Sequence, residues 1–161
     1  MVDQYSNIFL TVMFGAIAVW LFYGYAKCRK HPLIFKDKMW TWPRILFAAA
    51  GVLCIVAAFA YSTMLDWIRL AAMALCVAAF LLLRDGIAED GFSVMGRFYP
   101  FSKVRAYDYG DYKKNFRVYF VLEGNDNENM NYVQLEKKDR EEIIKFLKST
   151  IGRKYTRMKK G

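Results

Sequence analysis

The single histidine, His31, follows Cys28 by three residues, and a C-x-x-H pair is half of a zinc site. A structural zinc takes four ligands and a catalytic zinc three from the protein. No other Cys or His lies near in sequence, so no metal is expected. Cys54 and Cys76 fall inside apolar runs, where a thiol behaves as a small apolar group and no disulfide is expected. Two acidic groupings remain. Asp85, Glu89 and Asp90 directly follow an apolar run, where carboxylates could hold a metal against a lipid phosphate. Asp108 and Asp111 lie in YDYGDY among Tyr107, Tyr109 and Tyr112. Paired carboxylates bind Mg²⁺ or exchange protons, but Asp and Tyr are equally at home on solvated strand edges and turns, the preferred reading for both groups. Nucleophile-elbow, phosphate-loop, dinucleotide and H-E-x-x-H motifs are all absent from the sequence. The expectation is therefore no catalytic residue and no cofactor.

The elements that must carry these residues divide sharply by charge. Of 161 residues, 24 are Lys or Arg and 15 Asp or Glu, yet residues 8–26, 45–65 and 70–83 contain none of them. Residues 85–161 hold 16 basic and 12 acidic residues. A bilayer core about 30 Å thick needs roughly 20 apolar residues in a helix. Residues 8–26 and 45–65 meet that length, and 67–83 does so if Arg69 snorkels to an interface. The sequence thus predicts three membrane spans. A single water-soluble globule, a disulfide scaffold and a disordered chain are excluded. Arg69 is the only charged residue inside the expected spans, and it falls near a helix end, which gives an ion channel or transporter little support. Small residues recur at Ala50, Cys54 and Ala58, and at Ala71, Ala74 and Ala78, the spacing by which helices approach closely. The second and third spans are expected to pair as a hairpin, with a partner's helix as the other possible occupant of these faces.

Orientation follows from the loops. Lys27, Arg29, Lys30, Lys36, Lys38 and Arg44 lie between the first two spans, opposed by Asp37 alone. The positive-inside rule places this loop and everything after residue 84 in the cytoplasm, with the N-terminus outside. The first span lacks a basic n-region and reads as an uncleaved anchor. The loop, KCRKHPLIFKDKMWTWPR, suits contact with an anionic leaflet, with Lys27, Arg29, Lys30, Lys36, Lys38, Trp40, Trp42 and Arg44 as contact residues. Topology alone would account for the same charges equally well. The formal net charge of +9 is no sign of nucleic-acid binding, because residues 85–152 balance at −1 (11 basic, 12 acidic). The excess lies in the interhelical loop and in the tail, residues 153–161, which is expected to touch lipid or to be solvated.

Beyond residue 84 the pattern turns to short alternating runs, the mark of β-structure. Strands are expected near 85–89, 92–95, 104–112, 116–123 and 130–135. Asp90-Gly91, Met95-Gly96 and residues 124–129 are expected as turns, and Gly110 as a bulge. The clearest strand carries Phe116, Val118, Phe120 and Leu122 on one face. A helix over 137–151 follows, with Ile143, Ile144, Leu147 and Ile151 in one stripe. Asp139 and Glu142 have capping-box spacing, and Gly152 stands where a C-cap glycine would. The fold expected is a membrane α-helical region over 1–84 and a small α+β domain over 85–152, an antiparallel meander of about five strands covered by one helix. So small a core should lean on the basic loop, the bilayer or a partner.

Gly86-Ile87, Gly91-Phe92-Ser93-Val94, Phe101-Ser102-Lys103-Val104 and the closing segment 133–147 resemble the pleckstrin-homology-like (PH-like) domains of small bacterial membrane proteins of unknown function. The resemblance covers about residues 86–151. Being shorter than a full PH fold, it implies a partial barrel, and a binding or regulatory module without catalytic residues. Tyr99, Phe101, Arg105, Tyr107 and Tyr119 are the expected partner-binding residues, because Tyr and Arg are favoured at binding hot spots. Together these features imply a non-enzymatic integral-membrane accessory or regulatory protein binding a protein partner or anionic headgroups. Its partners would be membrane lipids and either a larger membrane protein or further copies of itself, and not nucleic acid. Immunity against a pore-forming toxin is a variant. The alternative is a small membrane enzyme acting on lipid-linked phosphate through Asp85, Glu89 or Asp90.

Overall fold

The computed structural model describes residues 2–38, 40–57, 59, 63–124 and 130–158. It divides into two compact units that interleave in sequence, one of residues 1–26 and 39–83, the other of 27–38 and 84–161.

The first unit is helical: α1 (Val2–Cys28), α2 (Trp42–Ala57) and α3 (Met64–Leu82). Two helices, Tyr5–Cys28 and Met64–Leu82, are long and apolar enough to cross a membrane, each with mean hydropathy 1.9 and only 11% of the span buried. Among the described residues, two of the three expected spans therefore qualify. The described part of α2 has 16 residues, about 24 Å at 1.5 Å per residue, and positions 58 and 60–62 of the expected second span lie outside the described residues. The start of α3 also comes earlier than expected. Thr63 and Asp66 form a capping box there, a T-x-x-D signal present in the sequence. Arg69, expected to snorkel to an interface, pairs with Asp66 at 3.0 Å near the start of α3 and donates to the Asn7 side chain.

Packing within this unit centres on α3. The bare face of Gly51 on α2 meets Val77, where an added Cβ would lie 3.1 Å from the valine methyl, and Phe47 stacks on Phe80. The expected pairing of these two helices is therefore present. On its other side the Cys76 thiol donates to the Phe14 carbonyl of α1, and Leu21, Ala79 and Leu83 form a small cluster. The buried small residues of α3 are Cys76 and Ala79, whereas Ala71, Ala74 and Ala78 are exposed. Ala58 lies outside the described residues.

Among its described residues the second unit contains seven strands and one α-helix. They are β1 (Leu33–Lys36), β2 (Gly86–Ala88), β3 (Gly91–Val94), β4 (Arg97–Pro100), β5 (Val104–Tyr112), β6 (Asn115–Leu122), β7 (Asn131–Glu136) and α4 (Arg140–Ile151). Strands β1-β2-β3-β4 form one antiparallel sheet in that order, and β5-β6-β7 another. The expected five-strand meander is thus corrected to four plus three. β1 was hidden because its four residues sit in a basic loop, and β4 because it ends on a proline. Met95 and Gly96, both at positive φ, make the tight β3–β4 turn. The expected turn at 124–129 lies outside the described residues beyond Gly124.

The core gathers between the sheets and beneath α4. Phe92 of β3 stacks on Phe120 of β6 with centroids 4.4 Å apart, and Phe101 meets Phe92 edge-on. The periodicity of β6 is realised as far as Phe120, with Phe116, Val118 and Phe120 fully buried, but at its end Val121 is buried and Leu122 only half-buried. The α4 stripe is also realised, where Ile143, Leu147 and Ile151 are buried and Ile144 and Phe146 pack at its border.

Three local expectations fail. Asp139 makes no side-chain cap bond. Gly152 is right-handed and opens a 3₁₀ turn, so it is not a left-handed cap. The bulge in β5 falls between Val104 and Ala106, while Gly110 pairs regularly with Arg117.

Asp111, at the end of β5, joins the start of α4 through Lys137 at 2.9 Å and Arg140 at 3.7 Å. The hydrogen bond from Lys137, with both cations nearby, holds its carboxyl below the usual range. A depressed folded pKa stabilises above the unfolded value, and that contribution is lost as pH falls through the folded pKa. Melting curves of wild type and Asp111→Asn should therefore differ at neutral pH and converge below about pH 4. An acid-independent difference would remove the ion pair as its cause.

Candidate functional site

The feature that most distinguishes this chain is the segment between α1 and α2, which completes the sheet of a domain lying some fifty residues further on. Its alternation builds the contact. Leu33 and Phe35 turn toward the domain, whereas Ile34 and Lys36 are exposed. Phe35 pairs with Ile87 and meets Phe146 of α4 edge-on at 5.9 Å. Gly86 lies against the Phe35 carbonyl, where a Cβ would come within 2.2 Å of the oxygen.

Polar contacts clamp both ends of β1. His31 Nδ1 lies 2.8 Å from Asp90 Oδ2, and its ring stacks on Phe98 at 3.6 Å and 7°. The Ser93 hydroxyl is 3.3 Å from the Cys28 sulfur. At the far end the Asp37 N–H donates to the Asp85 carbonyl, and Arg84 holds the buried Asp37 carboxylate at 2.9 Å. The C-x-x-H pair therefore serves as an anchor. Among the described residues no group of three His, Cys, Asp or Glu could hold a metal.

The sequence-derived surface residues sort differently in space. Lys27, Arg29, Lys30, Lys36 and Lys38 are exposed, as are Trp40 and Trp42. Arg44 is not a surface contact: it is buried and donates to the Leu83 carbonyl at 2.6 Å, at the C-terminal end of α3 where a helix carries partial negative charge. Phe101 and Tyr107, expected at a partner interface, belong to the core. Tyr99 is half-buried against Phe120, Arg105 is exposed, and Tyr119 sits on the outer face of its sheet beside Tyr132. Sequence reasoning missed Arg117 on that face. Its guanidinium lies 3.5 Å from the Tyr112 ring centre and 4.6 Å from that of Tyr132, and donates twice to Gln134. The cross-strand register that assembles this stack carries no local signal.

The acids do not converge. Asp85 accepts from the Met95 N–H in the β3–β4 turn, Asp90 pairs with His31, and Glu89 is exposed. Asp108 and Asp111, three residues apart on one strand, fall on opposite faces. Asp108 is buried and accepts from the backbone N–H groups of Tyr109 and Met158.

That last bond belongs to the tail, whose residues 154–158 pack against the domain. Tyr155 bridges to Tyr107, and Thr156 N–H donates to the Tyr107 carbonyl. The Lys154 ammonium donates to the carbonyls of Phe101, Ser102 and Val104. Asp108, Tyr109, Tyr155, Arg157 and Met158 line an open cleft of about 390 Å³. Burial, then neighbouring tyrosines, pushes the Tyr107 phenol up; burial and Asp108 do the same for Tyr155. Both phenols thus stay protonated at neutral pH.

No curated protein and no solved structure matches the chain. Residues 83–152, which run from the end of the helical unit to the end of α4 and leave β1 outside, match the family model described as a domain of unknown function (DUF5673).

Proposed function

We propose that this chain is an integral-membrane accessory or regulatory protein, non-enzymatic, whose water-exposed domain is a PH-like binding module for a protein partner or anionic headgroups. Seven antiparallel strands in sheets of four and three, closed by a helix, support the PH-like reading. The separate structural bonds made by Asp85, Asp90 and Asp108 favour a binding role over catalysis. Membrane residence is supported by the large apolar side chains that α1 and α3 expose, including Phe9, Val12, Val19, Trp67 and Leu75.

The observation that carries the topology is the pairing of β1 with β2. Strands of one sheet cannot lie on opposite faces of a bilayer. Residues 27–38 and 84–161 therefore share a face, and the chain between them must return to it. If α3 crosses, α2 and the residues that follow it must cross as well. Three crossings with the N-terminus opposite the domain satisfy both this parity and the positive charge of residues 27–38, which favours a cytoplasmic shared face.

Single cysteines introduced as Ser6→Cys, Thr63→Cys, Lys30→Cys and Lys148→Cys, each with the native cysteines replaced, test this directly. An impermeant thiol reagent applied to intact cells should label positions 6 and 63, and label 30 and 148 only after permeabilisation. Labelling of 63 and 148 from the same side would overturn the topology, and extraction of the chain by alkaline carbonate would overturn membrane residence.

A further inference from the structure

We infer that the outward face of residues 27–38 is a docking surface for an anionic phospholipid leaflet, a step that rests on membrane residence as proposed above. The evidence lies in how the fold sorts one short segment. Each of its polar groups that is not cationic is turned into the domain: His31 onto Asp90 and Phe98, Asp37 onto Arg84, and Cys28 beside Ser93. What remains exposed is Lys27, Arg29, Lys30, Lys36 and Lys38 together with Pro32 and Ile34. Lys38 also feels Glu136 across the unit.

Topology signalling would account for the number of cations. It would not require the only acid of the segment to be withdrawn from the surface they share. A surface of one sign repels itself unless an opposite charge lies against it, and the chain fixes where that charge is to be found. The segment begins on the last turn of α1 and ends four residues before α2, a reach of about 14 Å at full extension, comparable to the Debye length. Between Lys38 and α2 stands Trp40, and Trp42 opens the helix; both rings are exposed and of the type that settles at headgroup depth. Lipid phosphates are the anions that chain connectivity keeps within that reach.

The test uses the full chain in nanodiscs, with Trp20→Phe and Trp67→Phe so that Trp40 and Trp42 alone report. Phosphatidylcholine discs carry a minority of either brominated phosphatidylglycerol or brominated phosphatidylcholine as quencher. Stronger quenching by the glycerol lipid is expected. Lys30→Gln and Lys36→Gln, both at exposed positions, should each lower that preference about fivefold. Equal quenching by the two lipids, or a preference unmoved by both substitutions, overturns the inference. So does a preference that an added oligonucleotide abolishes through the same lysines, which would make a soluble polyanion the ligand. Failure of the chain to enter discs at all would instead overturn membrane residence.

Discussion

Gly86→Val is expected to expel β1 from its sheet and to destabilise the domain by about 3 kcal/mol or more. The side chain would begin with a Cβ 2.2 Å from the Phe35 carbonyl oxygen and 3.1 Å from a Leu33 methyl. The nearer obstacle is backbone, so no rotamer change relieves it, and β1 must move. With it go the Phe35–Phe146 contact and the alignment of the clamps at His31 and Asp37. The first observable should be proteolytic. Trypsin sites at Lys30, Lys36 and Lys38 are restrained while β1 is paired, and they should be cut much faster in the variant. Amide exchange over residues 33–36 should rise in parallel. Gly152→Ala is the control, because nothing lies within 4 Å of its position, and it should stay within about 0.5 kcal/mol of wild type. If Gly86→Val kept wild-type protection at β1, the strand would not be a fixed part of the domain.

Phe92→Ala should cost about 3–5 kcal/mol, the usual range for truncating a buried phenylalanine. Phe92 has no exposed surface, and its ring lies flat on Phe120 and receives the edge of Phe101. It is on one sheet and Phe120 on the other, so the truncation opens a cavity where the sheets meet. Single domains have about 5–15 kcal/mol of stability in total, and a core this small lies toward the lower end. Chemical denaturation of the full chain in detergent should show the domain transition greatly lowered or lost. Tyr132→Ala, on the exposed outer face of the same unit, should move it by less than about 1 kcal/mol. Equal effects from the two variants would mean that the stack does not organise the core.

The two results probe features of very different legibility. Phe92 and Phe120 stand in short alternating runs, and the burial of Phe116, Val118 and Phe120 is readable from period two alone. The apolar stripe of α4 is readable in the same way. Tyr107 and Phe101 were not. Strict alternation from Val104 would turn residue 106 inward and 107 outward. The bulge between Val104 and Ala106 shifts the phase by one, so Tyr107 enters the core and Asp108 takes the other face. Nothing in VRAYDYGDY marks that extra residue. Arg44 shows a related limit: its charge reads as a loop signal, yet its partner is a carbonyl 39 residues away.

Sequence alone determined what depends on local composition. The apolar length of the helices, the segregation of charge, the strand period of most of β6 and the tight turn at Met95-Gly96 each involve a few neighbouring residues and a solvent preference, whereas at the expected Asp90-Gly91 turn Gly91 is already the first residue of β3. Tertiary structure alone decided which segments meet. β1 has the composition of a basic loop, and it is a strand because β2, Phe146, Asp90 and Arg84 supply partners for its backbone and for His31, Phe35 and Asp37. Four residues cannot offset the entropy of becoming extended without those partners. The same pairing joins, in one sheet, residues on either side of a helical pair, a contact that no local pattern in the sequence announces.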